Sequence, residues 1–374
     1  MAEYTNLGDF LTACGNAIRG VEGSTATIIA NDMPDRISAL GGSVIPSNLP
    51  SDGKTRICYN IPSNVQTHGK TITLMFYQST SSTSTSVDWG DGSTATTTTG
   101  SGRKTLTHTF SDTGEHIVAI TINAGTIYFG GGSSYTIYGS PTGASTAYLR
   151  GYIQWIVLGT GVTKLDSYSL EYCTCLKEIR FPSSGFTTIG SYALAYNYQL
   201  PEITIPNTVT SLNNYAFTYC YKLKKVTLPT NTTLKTIPSD CFEYDSNIEE
   251  IVIPSQFTTV NQYAFRSCRN LKAITLPSTM TSITTYALYD CWNLRILSIP
   301  STVTSIAAAA MGNCYGLQKL RFNSASPPTV ANSNAFTNLP TSCIISVPTG
   351  KLSSYTGAAN YPSSSTYTYV EEAS

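Results

Sequence analysis

Between Val162 and Asn323 a unit of about 23 residues recurs seven times, and no other feature constrains the fold of this chain as tightly. The clearest copy runs Val260, Tyr263, Ala264, Phe265, Cys268, Leu271, Ile274, Leu276, Pro277. Closing prolines fall at Pro182, Pro206, Pro229, Pro254, Pro277 and Pro300, and Asn323 ends the seventh copy. A fixed period in this range, carrying L-x-x-I-x-I, marks a solenoid in which each coil supplies a short strand. One coil cannot bury its apolar face alone, so the copies must stack. The expected product is a mainly β, parallel-sheet solenoid that acts first as a display surface.

Placed on the repeat, the cysteines lose the look of a disulfide framework. Cys173, Cys220, Cys268, Cys291 and Cys314 share one column, three residues before the consensus leucine, while Asn197 and Asp245 hold that position in the other two copies. Adjacent strands lie about 4.8 Å apart, close enough for a bridge. However, Asn197 separates Cys173 from Cys220, and Asp245 separates Cys220 from Cys268. Pairing would strand most of the column, so free thiols buried as small core residues are expected. Polar members of an inward column must hydrogen-bond the backbone of neighbouring coils. No C-x-x-C occurs, and Cys173-Thr-Cys175 alone does not make a metal site. No metal or cofactor is expected.

Lys plus Arg equals Asp plus Glu at 22 each, so no net field draws the chain to nucleic acid or anionic lipid. No run of 18 apolar residues exists, which argues against membrane insertion. The start, Met1-Ala-Glu-Tyr-Thr, lacks the basic and apolar regions of a secretory signal. The composition, rich in Ser, Thr, Gly and Tyr and poor in charge, suits extracellular or virion-borne β structure.

Along the chain, residues 1–42 are expected to form a helical docking or oligomerisation segment. Leu7, Phe10, Leu11, Cys14, Ala17 and Ile18 keep amphipathic spacing, and a second short helix follows from Met33 to Leu40. Residues 43–52 read as a linker. Residues 53–124 read as a β-sandwich with strands at Arg56–Ile61, Thr71–Tyr77, Ser86–Trp89, Leu106–Phe110 and Glu115–Ile122. Trp89 should fill its core, and Asp91-Gly92 should supply a turn. Asp88 and Asp91 read as turn residues, because two carboxylates fall short of the oxygens that calcium wants. Residues 125–161 are expected to cap the solenoid. Their Gly130-Gly-Gly132 lacks the lysine and the strand-loop-helix context of a phosphate loop. The solenoid itself spans 162–350, with a degenerate eighth copy at its end, and 351–374 form a C-terminal tail.

Three resemblances accompany this reading. The repeats, with their Tyr-Ala-Phe, Cys and I-x-I-P elements, resemble the BspA-type leucine-rich repeats of bacterial surfaces and some phages. Val87-Asp-Trp-Gly-Asp-Gly-Ser93, followed by His108-Thr-Phe110 and the strand from His116, resembles a PKD-type immunoglobulin-like sandwich. The stretches Leu11–Gly20 and Ile28–Ile37 resemble a short N-terminal motif of tail and baseplate proteins of phages infecting Firmicutes, without the lysine common after Ala-Ile-Arg. Together they imply a leucine-rich repeat solenoid preceded by a PKD-like sandwich and a small N-terminal α-helical segment. They also imply a phage virion protein of the tail fibre, tip or baseplate, with a bacterial surface adhesin, or a structural spacer without ligand, as alternatives.

Two faces of the solenoid offer candidates. On the strand face, Lys224, Glu249 and Lys272 follow one another down a column, with Glu202, Lys225 and Glu250 beside them, a pattern of cross-strand pairs that satisfies itself. On the turn face, Tyr168, Tyr192, Tyr215, Tyr263 and Tyr286 hold a core-proximal column. A second aromatic set, Tyr172, Tyr196, Tyr198, Tyr219, Tyr221, Tyr244, Tyr289, Trp292 and Tyr315, falls at positions expected to face solvent. Tyr and Trp give large contact area at low entropy cost, so this band is the candidate ligand-binding surface. The expected partners are a host-surface protein or glycan, other virion tail proteins through residues 1–42, and a second copy of the chain. The sequence shows no catalytic constellation: its histidines, His68, His108 and His116, all lie in the sandwich.

Overall fold

The computed structural model describes residues 45–61, 70–130, 137–139 and 152–373, the segment 137–139 by its backbone alone. The helices expected within 1–42 lie outside the described residues, as do the motif stretches Leu11–Gly20 and Ile28–Ile37. The chain divides into two compact units between Pro201 and Glu202.

The first unit opens with β-branched and alternating stretches that form β1 (Thr55–Ile61), β2 (Thr71–Gln78), β3 (Ser84–Asp88) and β4 (Thr96–Thr99). Next come β5 (Gly102–Thr109), β6 (Gly114–Ala124), β7 (Ile127–Phe129) and β8 (Ile137–Gly139). Coils begin with β9 (Ile153–Val157), β10 (Val162–Leu165), β11 (Glu178–Arg180) and β12 (Thr188–Ile189). The five expected strands are present; β4, β7 and β8 were not anticipated. The all-threonine β4 has no apolar alternation to announce it.

One sheet runs β4-β3-β6-β1-β9-β11 and the other β5-β2-β7-β10-β12, with β8 also on β2. Pairing is antiparallel up to β1–β9 and β2–β7, then turns parallel at β9–β11 and β7–β10. Both sheets of the antiparallel region therefore continue by hydrogen bonds into the first coils. A free solenoid end would expose unpaired edge groups and apolar core; here β1 and β7 cover that end directly.

Trp89 is buried between the sheets. Its ring stacks on His108 at 4.6 Å between centroids, and its Nε1 donates to Thr96 Oγ1 at 3.1 Å. His108 Nε2 lies 2.6 Å from Asp91 Oδ2. Asp88 and Asp91 act as turn residues, accepting the Gly90 and Ser93 backbone N–H groups at 3.0 Å each. Gly90 has φ +77°, and a Cβ there would sit 2.5 Å from the Ile117 carbonyl oxygen, so only glycine fits. Burial would raise the Asp91 pKa, but hydrogen bonds from Ser93 and His108 outweigh it and hold the carboxyl at about 2.

The second unit is a parallel solenoid. Its long sheet is β13 (Glu202–Thr204), β15 (Lys225–Thr227), β17 (Glu250–Val252), β19 (Ala273–Thr275), β21 (Ile296–Ile299), β23 (Lys319–Phe322), β25 (Ile344–Pro348) and β26 (Thr368–Glu372). Between them lie the short strands β14 (Ser211–Leu212), β16 (Thr236–Ile237), β18 (Thr259–Val260), β20 (Ser282–Ile283), β22 (Ser305–Ile306) and β24 (Thr329–Val330). The central residue of each early strand (Ile203, Val226, Ile251, Ile274) is buried and its neighbours are exposed. Phe217, Phe242 and Phe265 stack through the core at 5.4 and 5.5 Å.

Of the stretch 351–374, expected as a tail, residues 351–373 close the solenoid instead. Helix α1 (Leu352–Thr356) buries Tyr355 against Phe322, and Tyr361 lies on Phe322 and Phe336 at 5.5 and 5.7 Å. Strand β26 then adds to β25 in parallel register. The hydroxyls of Tyr355, Tyr361 and Tyr367 donate to the carbonyls of Ser324, Pro328 and Leu339. That leaves no buried phenol of these three unpaired.

Candidate functional site

The turns carry the site, and their backbone is unusual. Each has two residues, four apart, with φ near +60°: Tyr168 and Tyr172, Tyr192 and Tyr196, Tyr215 and Tyr219, Asp240 and Tyr244, Tyr263 and Ser267, Tyr286 and Asp290, Ala309 and Asn313. A left-handed non-glycine residue costs about 1–2 kcal/mol and persists only where its surroundings over-determine it. Here alternate N–H groups point at the next coil. Tyr215, Phe217 and Tyr219 donate to the carbonyls of Ser239, Cys241 and Glu243, and the pattern repeats at Asp240, Phe242 and Tyr244. The tyrosine columns are thus backbone positions as much as side-chain ones, which the repeat spacing did not reveal.

The inward column behaves as expected. None of its five cysteines forms a disulfide and all are buried, and Cys268, Cys291 and Cys314 donate to the carbonyls of Phe242, Phe265 and Leu288. Asn197 donates to Leu170 and Leu194 carbonyls at 3.2 and 2.9 Å. Asp245 accepts the Cys220 N–H at 2.6 Å, and burial pushes its pKa well above the usual carboxylate range. On the strand face Glu249 bridges Lys224 and Lys272 at 2.9 Å each, and those two hydrogen bonds lower its pKa to about 2.

The aromatic band divides into rings that are used up and rings that are not. In the first unit Tyr172 stacks on Tyr196 at 4.3 Å, and Tyr168 on Tyr192 at 5.2 Å. Tyr198 is only 2% exposed, which corrects its expected solvent-facing position: its ring packs edge-on to Tyr196. In the second unit Tyr219 stacks on Tyr244 at 4.6 Å and meets Tyr221 edge-on at 5.9 Å. Tyr289 is half-buried beside Tyr286. Trp292 and Tyr315, by contrast, are 39% and 51% exposed, with centroids 6.0 Å apart at 65°.

Residues outside the aromatic set complete this second group. Arg269, at the equivalent position of the adjacent coil, lies over the Trp292 ring at 4.0 Å, so Arg269, Trp292 and Tyr315 form one row. Two polar ladders flank it. On one side Asn293 donates to Asn270 and Asn270 to Asn247, at 3.1 and 2.9 Å. On the other Asn338 donates to Asn313 and Asn313 to Asp290, at 2.8 and 2.6 Å. Their 23-residue recurrence at Asn247, Asn270 and Asn293 is legible in the sequence once the repeat is aligned.

Nearby, Asp240 replaces a column tyrosine. Arg266 lies 5.6 and 5.4 Å from the Tyr244 and Tyr263 ring centres and pairs with Glu243 at 3.1 Å. Burial, reinforced by the Asp240 charge, raises the Glu243 pKa to about 7. Among the described residues no group of three or more His, Cys, Asp or Glu is arranged to hold a metal, and no helix is long and apolar enough to cross a membrane.

Comparison with known families matches the BspA type leucine rich repeat region in six copies, over residues 144–244 and 235–356, more than half of the chain. No curated protein matches. Among solved structures, a leucine rich cell surface protein of Faecalibacterium prausnitzii is 20% identical over 55% of this chain, with a TM-score of 0.39. This chain spans 62% of that protein's length. A leucine-rich repeat protein of Bacteroides ovatus is 19% identical over 63% of this chain and 78% of its own, with a TM-score of 0.39. The pneumococcal vaccine antigen PcpA is 16% identical over 59% of this chain and 68% of its own, with a TM-score of 0.38.

Proposed function

We propose that this chain, which belongs to the BspA-type leucine-rich repeat family, is a non-enzymatic adhesin-like recognition protein at a bacterial cell surface. The observation that carries the reading is the exposed row Arg269, Trp292 and Tyr315 between two hydrogen-bonding ladders. Large aromatics and arginine are the residues that most often anchor interfaces, and these sit on coils whose backbone is locked from both sides. A rigid platform loses little entropy on binding. In this reading residues 53–124 are a PKD-like sandwich around Trp89, His108 and Asp91, whose β1 pairs with β9 of the first coils.

The test is adsorption of the purified full-length chain to intact cells. Trp292→Ala and Tyr315→Ala should each weaken adsorption while the thermal transition stays in place. Undiminished adsorption by both variants would sink the reading.

A second reading, a phage tail component, rests on the sequence resemblance of Leu11–Gly20 and Ile28–Ile37. In that reading residues 1–42 dock to other tail proteins, and the same row meets the host. Antibody labelling separates the two: decoration of purified particles supports the tail, and decoration of washed cells supports the adhesin.

A further inference from the structure

We propose that the ligand of the Arg269–Trp292–Tyr315 strip is a neutral, linear polysaccharide lying along the stacking direction of the coils; this refines, and rests on, the recognition reading above. Three observations converge on it.

The first is the hydrogen-bonding chemistry. Within each ladder an asparagine uses one N–H and one oxygen lone pair along the row. A carboxamide has two N–H donors and two lone pairs, so Asn270 and Asn313, each donating once and accepting once, keep one donor and one acceptor to offer, while the Asp290 carboxylate offers acceptors only. A sugar hydroxyl is itself both donor and acceptor and can meet any such position in either sense.

The second is the shape of the aromatic row. Arg269 covers one face of Trp292, and Tyr315 meets the indole at 65°. What remains outward is the indole rim and the more exposed Tyr315, a corrugated apolar strip between polar edges. The C–H faces of a pyranose fit that strip while its equatorial hydroxyls reach the amides on either side.

The third is direction and charge. The row and both ladders run from coil to coil at roughly 4.8 Å per step, comparable to the advance of one sugar in an extended chain. Across the strip Arg269 and Asp290 balance, and the neighbouring Arg266 is paired with Glu243. A polyanion meets no surplus of positive charge there and runs into Asp290. The ligand is therefore uncharged, and about three to four sugars span the row.

The experiment uses the full-length protein in two arms. In the first, wild type is titrated with β-1,4-linked glucan and mannan oligosaccharides of two to six sugars and with hyaluronate. Affinity for a neutral series should rise up to about four sugars, hyaluronate should not bind, and Trp292→Ala, Tyr315→Ala and Asn293→Ala should each lose about tenfold. In the second, target cells are treated with periodate, which destroys sugars, or with protease. Adsorption should vanish after periodate and survive protease. Adsorption that survives periodate and is lost to protease overturns the polysaccharide while leaving the recognition reading standing. Preference for hyaluronate, or neutral binding untouched by all three substitutions, overturns it as well. Wild type that adsorbs to no untreated cell overturns both readings together.

Discussion

The turns of the first unit and those from Arg266 to Asn338 in the second share a backbone but not a purpose. In the first, tyrosines at left-handed positions stack in pairs, Tyr168 on Tyr192 and Tyr172 on Tyr196, so one face of each ring meets another ring of the same chain. In the second, Tyr263 and Tyr286 still stack at 5.1 Å, but the column equivalent to Tyr172 and Tyr196 turns to Ser267, Asp290 and Asn313, and the row beside it to Arg269, Trp292 and Tyr315. The same ladder of inter-coil hydrogen bonds thus carries a self-satisfied surface in one place and an open one in the other. Counting aromatic residues does not distinguish them; asking what each ring face already touches does.

The largest effect that would break this contrast is a difference in folding stability. Tyr198→Ala should cost about 3–5 kcal/mol, as for other large buried rings, whereas Tyr315→Ala should stay within about 0.5 kcal/mol, as surface substitutions do. Denaturant unfolding of the two variants checks this, and equal costs would erase the distinction.

A second contrast lies in the inward column, where Asn197 and Asp245 occupy equivalent places. The Asp245 pKa is raised by burial, so the folded state binds a proton that the unfolded state releases above about pH 4. Stability from this group is complete below that pH and is lost as pH rises toward the folded pKa. Glu243, with its pKa at about 7, acts in the same sense between about pH 4.3 and 7. The melting temperature should therefore fall from pH 5 to 8. Asp245→Asn, which keeps the acceptor for Cys220 and adds the donors that Asn197 uses, should raise and flatten that profile.

Binding comes next in size. Trp292→Ala should weaken cell adsorption about tenfold, while Tyr172→Ala, in a self-stacked pair, should leave it unchanged. Loss of adsorption in both variants would make the whole band the site rather than the strip. The smallest effect belongs to the strand face: Glu249→Gln removes exposed pairs with Lys224 and Lys272 and should not move the thermal midpoint measurably.

Much of the architecture was legible beforehand. The period placed the strands, and the interrupted cysteine column foretold thiols outside disulfides. Asp91-Gly92 foretold a turn with Gly92 at φ +81°, while the close approach that demands glycine at Gly90 was not foreseen. The antiparallel strands with apolar alternation were found, and the threonine strand β4 was not, because period-2 burial leaves no trace in a run of one residue type. Of the nine rings expected to face solvent, Trp292 and Tyr315 are exposed, Tyr198 is buried and the other six are half-buried, while Arg269 with the asparagine ladders went unnoticed. An isolated asparagine reads as turn chemistry until its partner 23 residues away is known to lie beside it.

By itself, then, the sequence determined the coil, its inward residues and its register, because a repeated apolar pattern has one way to bury itself. Only the tertiary structure decided which rings stack on which, which amides form ladders, and how the antiparallel sheets run on into the coils. Those outcomes depend on neighbours one coil away in space, and side-chain faces are shared out only after the coils have met.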